Sequence, residues 1–180
     1  NGWRSEYQVY VVPEKLEDDT WTYVTQQNGT VESINIVGKL TQAKYENIVA
    51  KNDVKEITIG SRVTEIGDNA FDQCFSLQSV IIPDSVTKIH SKAFYECTSL
   101  ETVTFGNRIT EFGYEAFRDC KKLIVNIPNG VEIIGENAFR ATAISSLVIP
   151  DSVVDLYRGA FRSCLHLVSV KIGTGVVNIG

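Results

Sequence analysis

The four cysteines are the most reactive side chains in this 180-residue chain, and their spacing limits the chemistry they could do. They are Cys74, Cys97, Cys120 and Cys164. Zinc sites of the common kind need paired C-x-x-C motifs, which are absent here, and a disulfide framework would use irregular positions. We therefore interpret the cysteines as small buried side chains carrying free thiols. Two cysteines one repeat apart could form a disulfide only near the lower limit of their expected separation.

The other candidates for catalysis are equally sparse. The chain has only two histidines, His90 and His166, and they occupy unrelated positions. No G-x-S-x-G, H-E-x-x-H or Walker pattern is present. The string Gly173-Thr-Gly175 resembles the start of a nucleotide loop, but Asn178 stands where that loop needs a third glycine. The sequence thus predicts no catalytic residue, no metal ligand and no cofactor, and we predict that the chain is not an enzyme.

Charge and hydropathy exclude two classes of partner. The net charge is −5, from 17 basic and 22 acidic residues, so the chain lacks the basic field that a nucleic-acid partner requires. No stretch approaches the roughly 18 apolar residues of a spanning helix, and we predict no membrane insertion. The chain contains no methionine, so we expect it to be a piece of a longer protein. It shows no signal peptide pattern from which export could be inferred directly.

An internal repeat sets the elements that must position these side chains. The pair Ala-Phe recurs at 70/71, 93/94, 116/117, 138/139 and 160/161. The full unit reads V-x-x-I-G-x-x-A-F-x-x-C-x-x-L-x-x-V-x-I-P-x-S. Two copies are one residue short, around 123–127 and 142–147, and we expect both deletions to lie in loops, where a coil tolerates them. A fixed period of this length is typical of a stacked solenoid.

Each unit contains two kinds of apolar pattern. The segment L-x-x-V-x-I is short, β-branched and followed by proline or glycine, which predicts a strand. The segment G-x-x-A-F-x-x-C predicts a helix of two turns at most, which is too short to be stable alone. The V-x-x-I run before it predicts a second short extended stretch. A unit therefore folds only against its neighbours, with the five repeat phenylalanines forming one internal column.

Together these residues resemble the BspA-like (Treponema-type) leucine-rich repeat, over residues 54–180. The resemblance implies a curved α/β solenoid with one short parallel strand and one short helical turn per repeat. It implies about five full repeats and a sixth that stops at Gly180, so that the natural chain continues. It also implies a cell-surface or secreted protein that binds host or matrix proteins. The cysteine precedes the strand here, so no asparagine ladder is expected.

Residues 1–53 do not follow the repeat. Residues 21–24 and 31–36 alternate in polarity around Asn28-Gly29, which is a strong hairpin signal. Asn28-Gly-Thr30 also matches a glycosylation acceptor, although the hairpin turn explains it as well. Residues 40–53 could form a degenerate first coil. We predict that residues 1–53 form an N-terminal β cap over the open end of the solenoid.

The strand positions that point away from the core form the candidate binding site. These positions flank the buried Val and Ile of each repeat, and they are small, weakly polar and almost uncharged. If each repeat adds one strand to a parallel sheet, they form a continuous concave surface of the kind solenoids use for protein partners. Alternatively, short β-branched residues simply favour strands. The candidates are Thr58, Ser79, Ile81, Thr102, Thr104, Ile124, Asn126, Ser146, Val148, Ser169 and Lys171.

A second column consists of Arg118, Arg140 and Arg162, each directly after a repeat phenylalanine. Glu115 and Asp119 are among the acidic residues that interleave with it, which favours a solvated mixed-charge face over an anion site. The sequence therefore favours a protein-binding module. Two alternatives remain open: a structural spacer within a larger surface protein, and an enzyme or enzyme inhibitor whose active part lies outside this chain.

Overall fold

The computed structural model describes residues 54–180 and, before them, the backbone of four strands. These strands are β1 (Gln8–Val12), β2 (Thr22–Gln27), β3 (Thr30–Asn35) and β4 (Gly38–Leu40). From residue 54 onwards the chain forms stacked coils, each of which we begin at its leucine position. The coils are coil 1 (54–76), coil 2 (77–99), coil 3 (100–122), coil 4 (123–143), coil 5 (144–166) and coil 6 (167–180).

The L-x-x-V-x-I segments form strands on one side of the stack, which we call the strand side. They are β5 (Glu56–Ile59), β7 (Ser79–Ile81), β9 (Thr102–Thr104), β12 (Ser146–Ile149) and β14 (Ser169–Ile172). Neighbouring strands pair in parallel, with Val80 opposite Val103 and Leu147 opposite Val170. The side is nevertheless split, because one sheet runs β1-β2-β3-β5-β7-β9 and another contains only β12 and β14.

The V-x-x-I runs form the strands β6 (Val63–Ile66), β8 (Lys88–Ile89), β10 (Glu111–Phe112), β11 (Ile133–Ile134), β13 (Asp155–Leu156) and β15 (Asn178–Ile179). Together with β4 they make a second and unbroken parallel sheet of seven strands, in the order β15-β13-β11-β10-β8-β6-β4. Each coil therefore contributes one rung to this sheet, as the extended stretch in the repeat predicts.

The predicted helical turn is wrong for residues 54–180, where the structure contains no helix. The G-x-x-A-F-x-x-C segment forms consecutive tight turns instead. In coil 1, Ala70 N–H donates to the Gly67 carbonyl (3.3 Å) and Cys74 N–H to the Phe71 carbonyl (3.3 Å). The N–H of Phe71 is unavailable for a helix because it donates to Ala93 of the next coil, at 2.7 Å. Apolar side chains spaced three and four residues apart are therefore compatible with such turns as well as with a helix.

Left-handed backbone residues interrupt these turns twice in each of coils 1 to 5, which also prevents a helix. Only one of the ten is a glycine, Gly159 (φ 66°). In coil 1 the N–H groups of Asn69 and Gln73 donate to the Ser91 and Tyr95 carbonyls, at 3.0 and 2.7 Å. The two columns are Asn69, Lys92, Glu115, Asn137 and Gly159, and then Gln73, Glu96, Asp119, Ala141 and Ser163.

The repeat phenylalanines form the predicted column inside the stack. Consecutive rings from Phe71 to Phe161 are stacked, with centroid separations of 5.0, 5.0, 5.3 and 5.5 Å and interplanar angles of 16° or less. The first four side chains are fully buried, and Phe161 is half-buried. Phe112 packs edge-on against this column, 5.0 Å from Phe139. The prediction of a single elongated core is confirmed.

The N-terminal strands extend both sheets. Strands β2 and β3 pair antiparallel with Gln27 opposite Thr30, as the hairpin prediction requires, while β3 pairs in parallel with β5 and β4 with β6. Residues 28–29 and 41–53 lie outside the described residues, so the turn itself and the degenerate first coil are not described. The cap over the end of the solenoid stays a prediction. Within the described residues, no helix is long and apolar enough to cross a bilayer.

Coil 4 is the irregular part of the stack. It has two residues fewer than coils 2, 3 and 5, one missing between Leu123 and Val125 and one between Thr142 and Ile144. The expectation that both deletions lie in loops is only half right. The deletion near Thr142 falls in the turns, but the other falls in the strand segment, and residues 123–128 form no strand.

Candidate functional site

The predicted binding residues lie on the outer face of the strand side, which we call the strand face. Buried and solvent-facing positions alternate along β12, where Leu147 and Ile149 face the core and Ser146 and Val148 are exposed. The same alternation holds in β5. Of the predicted residues, Thr58 and Ser79 are half-buried and the others are exposed. The structure thus places the set along one side of the stack.

The strand face exposes apolar side chains among uncharged polar ones. The exposed fraction is 50% for Ile81, 62% for Ile124 and 55% for Val148. Beside Val148, the Ser169 hydroxyl donates to the Ser146 hydroxyl at 3.1 Å, so polar groups on this face satisfy one another between coils. Lys171 is the charged member of the predicted set. Such a surface resembles the centre of a protein interface, from which charged residues are depleted.

The strand face is interrupted between coils 3 and 4. Ile124 N–H donates to the Glu101 carbonyl at 3.2 Å, and one coil earlier the N–H groups of both Glu101 and Thr102 donate to the Gln78 carbonyl, at 2.9 and 3.3 Å. Ile124 thus makes the bond that two residues share in coil 3. Coil 4 therefore lacks one of the two positions between its leucine and its valine, while Val125 is equivalent to Val103 in the repeat.

The missing residue breaks the hydrogen-bond ladder. In the preceding junction, Ile82 N–H donates to the Thr104 carbonyl at 2.9 Å. Within residues 54–180, no backbone hydrogen bond joins Val103 or Phe105 to residues 125–127. Strand β9 thus presents an unpaired edge toward coil 4, as exposed edge strands do.

A cleft of about 550 Å³ lies at this break. It is lined by four of the predicted residues (Thr102, Thr104, Ile124, Asn126) together with Val103, Phe105, Asn107, Val125, Ile127, Pro128 and Asn129. None of these side chains is charged. Sequence reasoning missed Phe105, Asn107 and Asn129, although the short repeat at 123–127 was the signal that could have pointed to them.

On the opposite side, the turns cross the same junction without a gap. Glu115 N–H donates to the Glu136 carbonyl at 2.9 Å and Phe117 N–H to the Ala138 carbonyl at 2.7 Å. Strands β10 and β11 pair in register, with Phe112 opposite Ile134. The turns and the second sheet therefore hold coils 3 and 4 together while the strand side opens.

The cysteine column has a structural role in this core. All four cysteines are free and buried. The Cys97 thiol donates to the Phe71 carbonyl at 3.1 Å and the Cys120 thiol to the Phe94 carbonyl at 3.0 Å, so each ties its coil to the one before. Burial raises the pKa of Cys97 well above the ordinary thiol value, which keeps the unreactive thiol form at neutral pH.

Arg118 of the arginine column is engaged in local ion pairs. Arg118 pairs with Glu115, whose side chain is only 3% exposed, and also with Asp119 at 3.1 Å. The hydrogen bond that the Arg118 guanidinium donates to the Glu115 carboxylate raises the pKa of Arg118. Lys92 Nζ lies 3.7 Å from the same Glu115 carboxylate. This supports the mixed-charge interpretation around Arg118; the burial of Glu115 was not predicted.

The histidines do not assemble a reactive site. His90 Nε2 lies 2.9 Å from a Glu65 carboxylate oxygen of the preceding coil, and His166 is exposed beside Leu165 and Lys121 in a separate surface pocket. Among the described residues, no group of three or more His, Cys, Asp or Glu side chains is arranged to hold a metal ion.

The family comparison agrees with the repeat. A family model described as the BspA type leucine rich repeat region matches residues 41–168 and 123–180, with six copies. The matched ranges cover most of the chain and include every coil. No protein among the curated sequences matches.

Solved bacterial structures share the fold. A T. pallidum leucine-rich repeat protein superimposes with a TM-score of 0.71 at 25% identity, over 99% of this chain and 85% of that one. A leucine-rich repeat protein from Eubacterium ventriosum gives 0.73 at 21% identity, over 94% of this chain and 45% of that one. A leucine rich cell surface protein from Faecalibacterium prausnitzii gives 0.56 at 25% identity, over 95% and 54%. This chain thus spans about half of the Eubacterium and Faecalibacterium proteins.

Proposed function

Since this chain belongs to the BspA-type leucine-rich repeat family, we propose that it is a protein-binding module whose partner contacts the strand face. The observation that carries this proposal is the row of exposed Ile81, Ile124 and Val148 on a face whose other predicted residues are small or polar and, except for Lys171, uncharged. Solvent-facing positions on a soluble sheet are ordinarily polar, so apolar residues repeated on one face favour contact with another protein.

The partner's chemistry follows from the same face. Burying Ile81 or Val148 stabilises a complex through the hydrophobic effect, at about 25 cal/mol per Å² of apolar surface removed from water. Hydroxyls such as those of Thr102 and Ser146 supply hydrogen bonds without the desolvation that charged groups require. A folded protein with a complementary apolar patch fits this surface better than a polyanion does, and the net charge of −5 disfavours nucleic acid.

We further propose that the module acts at the cell surface or outside the cell, in adhesion to host or matrix proteins. Support comes from the family and from the Faecalibacterium relative, whose name describes a cell surface protein. In this proposal residues 1–53 form the N-terminal cap and residues 54–180 form the binding solenoid. Neither an activity of its own nor a cofactor is part of the proposal.

The test uses paired variants with the same chemistry. Val148→Arg places a charge on the strand face, and Val154→Arg places it on an exposed valine (40%) outside that face. Binding to immobilised extracellular matrix glycoproteins is measured for the wild type and both variants by surface plasmon resonance. We expect Val148→Arg to weaken binding at least tenfold, with Val154→Arg unchanged.

Two results would contradict the proposal. Equal binding by all three proteins would exclude the strand face, and loss with Val154→Arg alone would move the site to another surface. If no matrix glycoprotein binds the wild type, the spacer alternative is favoured over adhesion.

A further inference from the structure

We propose that the cleft between coils 3 and 4 is the recognition subsite of the strand face, and that it takes an extended peptide segment of the partner. This inference rests on the proposed protein-binding function. The cleft differs from the rest of the strand face because it combines unpaired backbone groups with an uncharged lining.

The backbone groups are the first argument. The N–H groups of Val103 and Phe105 make no hydrogen bond to protein within residues 54–180. They are two residues apart on one strand edge, which separates them by about 6.6 Å. That distance is also the repeat of outward carbonyls along an extended peptide, so two successive hydrogen bonds can form. Both residues are half-buried, and unpaired backbone groups there gain from a ligand that satisfies them.

The lining is the second argument. Val125 and Ile127 lie at the base and are 5% and 6% exposed, while Asn107, Asn126 and Asn129 line the cleft with amide groups. An apolar base suits one aliphatic or aromatic side chain of the peptide. The amides can donate to and accept from the neighbouring peptide groups, since each carries both functions. The absence of charged groups from the lining disfavours acidic or basic motifs.

The position is the third argument. The cleft lies centrally on the strand face, with β7 on one side and β12 on the other, and includes the exposed Ile124. A peptide held there has apolar side chains of the face, such as Ile81 and Val148, on either side. The turns on the opposite side remain hydrogen-bonded across this junction, so the cleft is part of a supported frame.

The experiment restores the missing residue. Insertion of one threonine between Ile124 and Val125 recreates the full L-x-x-V-x-I spacing, and we expect it to pair with Thr102 and close the ladder. Insertion of one threonine between Thr142 and Ala143 restores the other short segment, in the turns, and is the matched control. Thermal unfolding and circular dichroism establish that both variants fold.

The probe is a phage-displayed library of random nine-residue peptides selected on the full wild-type chain. We expect enriched peptides whose binding weakens at least tenfold with the strand-side insertion and is unchanged with the control insertion. N-methylation of alternate peptide nitrogens and carbonyl-to-thioamide replacement identify the hydrogen bonds. Peptide binding should slow amide exchange at Val103 and Phe105.

Several outcomes would overturn the inference. The first is that no peptide is enriched, and the second is that the peptides bind both insertion variants equally. The third is that the chain binds oligosaccharides on a glycan array instead of peptides, and that the strand-side insertion abolishes this binding. The proposed function is judged separately. Matrix binding that survives the strand-side insertion but is lost with Val148→Arg would leave the strand face in place while excluding the cleft.

Discussion

At the junction of coils 3 and 4, the strand side loses its hydrogen-bond ladder while the turn side keeps every rung. Phe117 still stacks on Phe139 at 5.3 Å, and its N–H still donates to Ala138. Across from them, Val103 faces Val125 without a backbone hydrogen bond within the described coils. Both sides belong to the same two coils, so the difference comes from where a residue is missing.

The comparison shows which side sets the stacking of coils. On the turn side, large rings and paired backbone groups leave no room for a shift, because interiors are close-packed. On the strand side, outward residues contact solvent and a lost rung can be hydrated. The deletion between Leu123 and Val125 is therefore absorbed on the strand side, where it opens a cleft rather than displacing the core.

The largest predicted effect is on the turn side. Phe117→Ala removes a fully buried ring stacked between Phe94 and Phe139, at 5.0 and 5.3 Å. We expect the free energy of unfolding to fall by about 3–5 kcal/mol, measured by urea denaturation. The control is Phe75→Ala, where the ring is 44% exposed. Similar losses for the two variants would mean that the ring column does not dominate the stack.

The second prediction compares two glycines on the strand side. A Cβ at Gly106 would lie 2.5 Å from the carbonyl carbon and oxygen of Pro83, whereas at Gly130 its nearest atom would be the Asn107 carbonyl oxygen at 3.0 Å. Gly106→Ala should cost about 1–3 kcal/mol through overpacking against the paired coil, and Gly130→Ala less. Urea denaturation of both variants tests the order, and a greater loss at Gly130 would contradict it.

The third prediction concerns the broken ladder in the free protein. Ile82 N–H donates to Thr104, and Phe105 N–H holds the equivalent position one coil later without such a bond within residues 54–180. We expect the Phe105 amide to exchange with solvent about tenfold faster or more than the Ile82 amide. Hydrogen exchange followed by NMR measures both. Equal protection would show that the ladder is closed in solution.

The smallest predicted effect concerns a loop after a paired strand, at the junction of coils 5 and 6. The Thr174 N–H donates a hydrogen bond to the Asp151 carboxylate at 2.7 Å, and the Thr174 hydroxyl donates a second one. Both hydrogen bonds lower the pKa of the Asp151 carboxyl, the one from the N–H more strongly. Its contribution to stability is therefore present above the ordinary carboxyl pKa and is lost as pH falls through the lower folded-state value.

Asp151→Asn should slightly lower the melting temperature at pH 7 and flatten its decline below about pH 4. Thermal unfolding across this pH range measures both changes, with Glu132→Gln as the control for an exposed carboxyl. An unchanged acid dependence in Asp151→Asn would contradict the assigned pair.

The sequence predicted the features that every repeat shares, and it missed those that depend on contacts between particular coils. The period alone identified the column from Phe71 to Phe161 and the buried cysteines, because equal spacing in a stack places equal residues in line. It could not separate helices from turns in G-x-x-A-F-x-x-C, since the hydrogen bond that decides, from Phe71 to Ala93, joins two coils.

The candidate site was predicted as a face but not as a cleft. The outward positions follow from strand alternation, so residues such as Ser146 and Val148 were identified correctly as exposed. The cleft arises because coil 4 lacks one of the two positions between its leucine and its valine, and residues 123–128 form no strand. The repeat spacing reveals the short segment, but the loss of backbone hydrogen bonds between Val103 or Phe105 and residues 125–127 is visible only in the structure.

The left-handed residues have a consequence for how the chain folds. Asn69 and Gln73 adopt a backbone conformation that costs of order 1–3 kcal/mol for residues other than glycine, and the N–H of each donates to the following coil. That cost is offset only when the following coil is in place. An isolated coil would abandon this shape. The stack therefore folds cooperatively: each added coil stabilises the one before it, and partly folded chains are scarce.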